Sequence, residues 1–389
     1  MSTLARLHPR ARSAPASGIV SVVNYAREKP GMIPLWVGEG DLATPDFICD
    51  AAAASLKAGE TFYTYQRGIP ELREALARYT AGLYGVPADS SRFFVTNSGM
   101  HAVQIVLASV AGPGDEVIFV APLWPNLQAA AGIAGATAVE VPLDPKDGAW
   151  HLDLGRLARA ITPRTRAIFV NTPNNPTGWT ADAQTIRAIV ELAREAGCFV
   201  IADEIYSRFY YNGLRAPSFH EAEDAQDFIL YVNSFSKNWS MTGWRVGWIE
   251  APAEMGDVIE NLVQYSNSGV PTFIQRAAIA ALTEGESFVT SQIERAHVAR
   301  DLFADALLST NRVELTKPEG AFYAFFKIDG IEDSRPVAFR IADEALVGLA
   351  PGTAFGTASP GFFRACFHRR LDQVEEAGRR LAEWIGRQA

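Results

Sequence analysis

Four short segments of the sequence carry the residue types best suited to chemistry. Ser234-Phe235-Ser236-Lys237-Asn238-Trp239 sets a lysine among hydroxyls and aromatic rings. Lysine is scarce in this chain, with only Lys29, Lys57, Lys146, Lys317 and Lys327 besides. Desolvation, together with the nearby cation Arg245, would lower the pKa of Lys237 and make it a usable nucleophile and base. Asp203-Glu204-Ile205-Tyr206 follows the apolar run Phe199-Val200-Ile201-Ala202. An acid at that point sits where water is scarce and needs a cation or donors, which either a salt bridge or a protonated heterocycle would supply. Asn97-Ser98-Gly99-Met100 opens a helix pattern. Its free amides can cradle a phosphate, although Ser-Gly is also common as a simple cap. Thr172-Pro173-Asn174-Asn175-Pro176-Thr177-Gly178 reads as a rigid turn that aims Asn175.

Together these segments describe a ligand with a phosphate, a ring nitrogen wanting an acid, a phenolic oxygen and an aldehyde for a lysine. Pyridoxal 5'-phosphate (PLP) has all four, and its electron-sink chemistry needs a Schiff-base lysine and an acid at the pyridinium nitrogen.

The elements that would position these residues are legible as well. Candidate strands are 92–96, 116–121, 138–143, 166–171, 198–203, 229–234 and 245–250, many apolar on consecutive residues as in strands covered on both faces. Helix patterns lie between them. Leu72, Leu76, Tyr79 and Leu83 recur within 70–83, and Ile186, Ile189, Val190 and Ala193 within 181–196, with Gly197 as a stop. This alternation predicts an α/β fold: a three-layer α/β/α domain around a mostly parallel sheet, whose ligands bind beyond the carboxyl ends of the strands. After residue 285 a long helix (286–309), strands at 320–328 and 361–367 and a last helix (371–388) read as a smaller α+β domain. The expected division is an N-terminal arm at 1–17, a large domain at 41–285, and a small domain of 18–40 plus 286–389. The arm carries Arg6, Arg10 and Arg12 with no acid. Its composition resembles a transit peptide, but it lacks the apolar core of a secretory signal, and the favoured reading is a flexible or partner-clasping arm.

A length of 389 residues favours two domains. The formal charge of −9 argues against a general nucleic-acid binder, and no uninterrupted apolar run is long enough to cross a membrane. Cys49, Cys198 and Cys366 are isolated and odd in number. They read as small core residues in a reducing, cytoplasmic setting, with no metal site.

The ordered set Asn-Pro-Thr-Gly, Asp-Glu-x-Tyr, Ser-x-Ser-Lys and Gly-x-Arg-x-Gly resembles the fold-type I PLP enzymes, specifically the class I/II aminotransferases related to aspartate aminotransferase. The similarity runs from Val37-Gly38-Glu39-Gly40-Asp41 to Phe363-Arg364-Ala365-Cys366-Phe367. It implies that Lys237 forms the Schiff base and shuttles the substrate proton, that Asp203 pairs with the ring nitrogen, and that Tyr206 and Asn175 bond the 3' oxygen. Ser98, Gly99, Met100, Ser234, Ser236 and Arg245 would hold the phosphate, and Trp124 would stack on the ring. Arg364 would grip the substrate α-carboxylate, assisted by Asn175 and the Gly38 amide. Tyr63, with Tyr65 as a close competitor, resembles the tyrosine that reaches the phosphate of the other subunit in a homodimer. Two departures stand out. Met100 replaces a cationic residue of some acid-specific relatives, and Gly40 replaces the usual proline, so strict aspartate specificity is not expected. Trp36, Tyr65, Trp124 and Trp239 could line an apolar substrate pocket or simply pack.

The resemblance implies an aminotransferase that passes an amino group from an L-amino acid to a 2-oxo acid in ping-pong fashion. A PLP-dependent β-lyase on the same scaffold is the alternative. A non-catalytic PLP-binding sensor is disfavoured, because no helix-turn-helix precedes residue 18 and both Lys237 and Arg364 are kept.

Overall fold

The apolar runs expected as strands lie side by side in one eight-stranded sheet of the computed structural model, which describes residues 3–12, 14–224 and 227–388. In spatial order the strands are Phe93–Thr96, Gly247–Glu250, Ile229–Ser234, Phe199–Asp203, Thr165–Asn171, Glu116–Ala121, Thr137–Lys146 and Ala149–Leu152. The run from Ile229–Ser234 through Thr137–Lys146 is parallel, and the antiparallel pairs lie toward the two edges.

Alternate side chains leave opposite faces of these strands, and both faces are buried. Val117, Phe119 and Phe169 pack under the helices Gly99–Val110 and Pro125–Ala134. Ile118, Ile168 and Val200 pack under Ala183–Ala196. That last helix shows how local sequence sets its ends. The Asp182 side chain accepts the Thr185 amide at 2.7 Å, and Gly197 closes the other end in the left-handed conformation (φ 63°). The expected three-layer α/β/α architecture is therefore present.

A second, four-stranded antiparallel sheet is built from Val313–Leu315, Tyr323–Ile328, Phe362–Cys366 and Ala350–Pro351. Its core includes side chains from Gly18–Ala26, Glu286–Leu308, Ser334–Glu344 and Leu371–Gly386. Of the arm at 1–17, residues 1, 2 and 13 and the side chain of Arg10 lie outside the described residues; Thr3–Arg6 and Pro9–Arg12 form single turns.

Several expectations need correction. The strand expected from Arg245 begins at Gly247, because Arg245 is left-handed (φ 53°) and follows the turn Thr242–Trp244. The strand expected at 138–143 extends to Lys146 and turns back through Asp147-Gly148. Both of these residues have positive φ, as a two-residue hairpin of primed type requires. The strand expected from Gly320 begins at Tyr323, after Gly320 docks against Gly178. Cys198 and Cys366 are buried, but Cys49 is only half-buried.

The turn after Thr165–Asn171 is pinned by its glycine. Gly178 has φ 71°, and a Cβ there would stand 2.2 Å from Pro318 Cβ and 2.8 Å from Gly320 O. Gly178→Ala is expected to destabilise the protein by about 2–4 kcal/mol, from left-handed strain plus overpacking. A lower thermal unfolding midpoint, with activity reduced through displacement of Asn175, checks this; a midpoint equal to wild type would contradict it.

Candidate active site

Strand register brings the polar ends together. Asn171 pairs with Asp203 across neighbouring parallel strands, and Ser234 pairs with Gly247, which in turn pairs with Thr96 just before Ser98. Above these ends opens a cavity of about 590 Å³. It is lined by Gly38, Gly99, Met100, Trp124, Asn175, Asp203, Tyr206, Ser234, Ser236, Lys237, Arg245 and Arg364, twelve of the fourteen residues singled out in the sequence. The two left out are Ser98 and Tyr63.

Lys237 stands in the turn after Ile229–Ser234, and its Nζ donates to Gly38 O at 2.7 Å. Burial lowers its pKa to about 8; Cys366 and Glu39 oppose that shift, while Arg364 and Arg245 add to it. An amine with that pKa is substantially neutral near pH 8.

Asp203 ends its strand and is buried. Its carboxylate accepts the Ile205 amide at 3.3 Å, and Asn171 Nδ2 donates to its main-chain oxygen at 3.2 Å. Burial pushes its pKa up to about 7, with the Glu204 charge adding to the effect and the Ile205 amide and Lys237 opposing it. Among the described residues no cation lies within ion-pair distance of Asp203.

Arg364, on Phe362–Cys366, is 2% exposed. Nη1 donates to Asn175 Oδ1 at 3.2 Å, and Nη2 donates to Trp36 O. The guanidinium lies over the Tyr323 and Phe355 rings at 4.7 and 5.0 Å. Its Nε has no hydrogen-bond partner, and among the described residues no carboxylate pairs with it. A buried acid and a buried base thus face one cavity without counter-ions, and each calls for a ligand group of opposite charge.

The helix Gly99–Val110 points its amino end at the same cavity. Ser98 Oγ accepts the His101 amide at 3.0 Å, which makes it the cap. A Cβ on Gly99 would lie 3.2 Å from Ser234 Cβ, and one on Gly247 only 2.7 Å from the Gly99 nitrogen, so small residues let the helix start close onto the strands. Ser234 Oγ donates to Ser236 Oγ at 2.9 Å, and Arg245 Nη1 donates to Thr242 O at 2.7 Å at the exposed rim. This donor set of amides, hydroxyls and a guanidinium fits a phosphate. With Asp203 for a ring nitrogen and Lys237 for an aldehyde, the residues present fit PLP.

Sequence reasoning missed Tyr323, whose hydroxyl is 2.7 Å from that of Tyr206; burial raises the pKa of both phenols. A Cβ on Gly38 would fall 2.3 Å from the Tyr323 hydroxyl, which explains the glycine. Tyr323 lies in the run Phe322-Tyr323-Ala324-Phe325-Phe326, where a working phenol cannot be told from core. Asn171 was missed too, although a polar residue ending a parallel strand was a usable signal; its Oδ1 accepts the Asn175 amide at 2.8 Å. Gly38 offers its carbonyl to Lys237. Trp36 and Trp124 line the cavity, whereas Trp239 is core, packed on Phe235. Tyr63 and Tyr65 are 96% and 63% exposed on a surface that also bears Phe62.

Residues 30–381 match the family described as aminotransferase class I and II. The aspartate/prephenate aminotransferase of Thermus thermophilus is 33% identical over 378 residues, covering 96% of each chain. Aromatic-amino-acid aminotransferase 2 of Thermococcus litoralis is 32% identical over 368 residues, covering 94% of each. The solved structure of Thermus thermophilus aspartate aminotransferase with maleate superposes with a TM-score of 0.90 at 32% identity, covering 97% of this chain and 99% of that one. The chain belongs to the class I and II aminotransferase family and is an aminotransferase.

Proposed function

We propose that this chain is a PLP-dependent aminotransferase that moves an amino group from an L-amino acid to a 2-oxo acid in two half-reactions. The observation that carries this reading is the pair of buried, uncompensated charges, Asp203 and Arg364, lining the cavity that also holds the amine of Lys237. PLP, when bound, supplies an aldehyde and a conjugated ring that stores an electron pair.

Lys237 Nζ provides the covalent attachment and, as a partly neutral amine, takes the proton from the substrate α-carbon. Asp203 holds a proton at the ring nitrogen. Tyr206 and Asn175 would hydrogen-bond the ring's 3' oxygen, and Trp124 would cover a ring face. Ser98, Gly99, Met100, Ser234, Ser236 and Arg245 hold the phosphate, the first of them through the helix start that it caps. Arg364 binds the α-carboxylate through its planar fork, with Asn175 and Gly38 beside it. The proposed division into a large domain (41–285) and a small one (18–40 plus 286–389) places Arg364 on the smaller part, so substrate binding draws the two together. Tyr63, fully exposed beside Phe62 and Tyr65, is assigned to the partner subunit's site in a homodimer. Among the described residues no helix is long and apolar enough to cross a membrane, and the three cysteines are free; we assign the protein to the cytoplasm.

The central test is a half-reaction screen on the holoenzyme. An amino acid alone is expected to shift the cofactor's absorption band and release its 2-oxo acid. Pyruvate and ammonia from a substrate with a β-leaving group, without any acceptor, would instead indicate the lyase. Lys237→Ala is expected to retain PLP without a covalent link and to lose at least about a hundredfold in kcat; borohydride labelling of the variant's protein peak would contradict the assignment.

Asp203 makes a separate prediction through linkage. Its pKa is raised from 3.8 to about 7 in the folded protein, so the group costs nothing while protonated in both states below about pH 4, and a penalty builds up as pH rises from 4 to its full value above 7. That penalty is on the order of 4 kcal/mol at most. In cofactor-free protein, Asp203→Asn should therefore raise the unfolding midpoint at pH 8 and leave it nearly unchanged at pH 4. In holoenzyme the same variant should lose at least about a hundredfold in activity, because a buried charge pair is broken. Equal midpoints at both pH values would contradict the buried, unpaired acid. Finally, Tyr63→Phe should weaken PLP retention several-fold while Tyr65→Phe leaves it unchanged, measured by cofactor dissociation; the opposite ranking would transfer the role to Tyr65.

A further inference from the structure

A second, much smaller cavity of about 20 Å³ shares Ser236, Lys237 and Thr242 with the main one and is closed by Gly40, Gln292 and His368. His368 is 2% exposed, with its ring stacked on Phe322 at 5.1 Å and edge-on to Phe209 at 5.2 Å. Gln292 Nε2 donates to Asn238 O at 2.7 Å, which fixes the amide so that Oε1 is an acceptor. That oxygen accepts from Ser240 Oγ at 2.9 Å and lies 3.1 Å from His368 Nε2, so Nε2 carries the ring proton. Nδ1 is then a bare acceptor, and it has no hydrogen-bond partner. An unmet buried acceptor costs about 1–3 kcal/mol, and a phenyl ring would fill the same stack without that cost. Packing therefore does not account for a histidine here.

His368 touches both stretches of main chain that fix Lys237. Through Gln292 it reaches Asn238 O and Ser240, the residues following the lysine. The same Cδ2–Nε2 edge of the ring presses on Gly40, where a Cβ would come 2.5 Å from Cδ2 and 2.8 Å from Nε2. Gly40 lies two residues beyond Gly38, whose carbonyl accepts from Lys237 Nζ at 2.7 Å. The close approach also explains why glycine stands at this position.

We propose that His368 is a positioning residue for Lys237, gripping the chain after it through Gln292 and the chain bearing its acceptor through Gly40. The proposal rests on the reading of Lys237 as the reactive amine. Burial, Arg295, Arg369 and Lys237 together press the His368 pKa down to about 3 against the opposing Asp41, so the ring stays neutral at working pH. The charged and titratable groups facing Lys237 are Asp203, Glu39, Cys366, Arg364 and Arg245, with the Tyr206 ring 6.0 Å away. His368 adds no ionisation of its own to a pH profile, and a changed profile in its variants reports on the amine.

His368→Phe keeps the stack and removes the Nε2 donor. In full-length, cofactor-free protein, the Lys237 amine can be titrated by isotope-labelled reductive methylation followed by NMR. Loosening the lysine toward water should raise its pKa from about 8 by roughly one unit. In holoenzyme, kcat should fall by about tenfold or more with KM changed less than about twofold. His368→Gln, which keeps an N–H donor, should recover most of both. A folded His368→Phe protein with wild-type amine titration and wild-type kcat profile overturns the proposal. If that variant does not fold, Gly40→Ala, which crowds the Cδ2–Nε2 edge of the same ring, decides by the same two readouts. Absence of turnover in the wild type would refute the aminotransferase reading instead, while the amine titration would still decide the role of His368.

Discussion

Everything at this site depends on two buried charges that the chain itself does not neutralise. Asp203 and Arg364 are 7% and 2% exposed, and neither has an ion-pair partner among the described residues. A buried charge without a counter-ion is among the most expensive features a fold can carry. The usual escape, a neighbouring residue of opposite sign, is used elsewhere in the fold and not here. Arg208, also 2% exposed, pairs with Glu286, and His220 lies 2.9 Å from Glu250. These pairs are compensated within the chain, whereas Asp203 and Arg364 are left open to the cavity. Under the proposed reading, such a cavity suits ligand charges of opposite sign, cationic toward Asp203 and anionic toward Arg364.

The surrounding architecture keeps these charges apart and steady. Asp203 stands on a strand of the large parallel sheet, where the neighbouring Asn171 and the Ile205 amide fix its orientation. Arg364 stands on the small antiparallel sheet, held by Trp36 O and Asn175 and covered by two aromatic faces. Asn175 comes from the large sheet's turn and Trp36 from the chain near the small sheet, so the guanidinium is itself a joint between the two sheets. Glycine appears where contacts must be closer than a Cβ permits: at 38 against Tyr323, at 99 and 247 where helix meets strand, and at 178 against Pro318. These positions set the spacing of the site, and Gly38 also offers its carbonyl to Lys237.

Much of this was readable from the sequence, because parallel strands covered on both faces leave consecutive apolar runs. Their ends mark where ligands bind, and Asp203, Ser234 and Lys237 sit at such ends. Of the antiparallel small sheet, the two longer strands were legible as apolar runs, with less accurate limits, while the short Val313–Leu315 and Ala350–Pro351 were not. What could not be read depends on contacts between segments distant in sequence. Tyr323 belongs to a run of aromatics in which five of six residues from Ala321 to Phe326 are ordinary core, and only its hydroxyl's approach to Tyr206 sets it apart. Arg245 was placed in a strand because Val246-Gly247-Trp248-Ile249 continues it smoothly; the left-handed backbone that turns its guanidinium to the cavity rim has no pattern in the side chains. Trp239, beside the lysine in sequence, points away into the core.

The lysine draws these observations into one electrostatic problem. Lys237 lies between an acid that wants a cation and a guanidinium that wants an anion, and burial has already made its own charge costly. A fully protonated amine would partly satisfy Asp203 and repel Arg364; a neutral amine does neither. A pKa near 8 leaves both forms accessible, so the site does not commit the lysine to serve as a permanent counter-ion. Its Nζ is held by a carbonyl, Gly38 O, which accepts from either form. An acidic residue at that acceptor would have raised the pKa and removed the neutral amine that the proposed chemistry uses. An uncharged main-chain acceptor, on a segment packed closely against Tyr323 and His368, leaves the amine free to be neutral or protonated between two unpaired charges, as the proposed roles of nucleophile and base require.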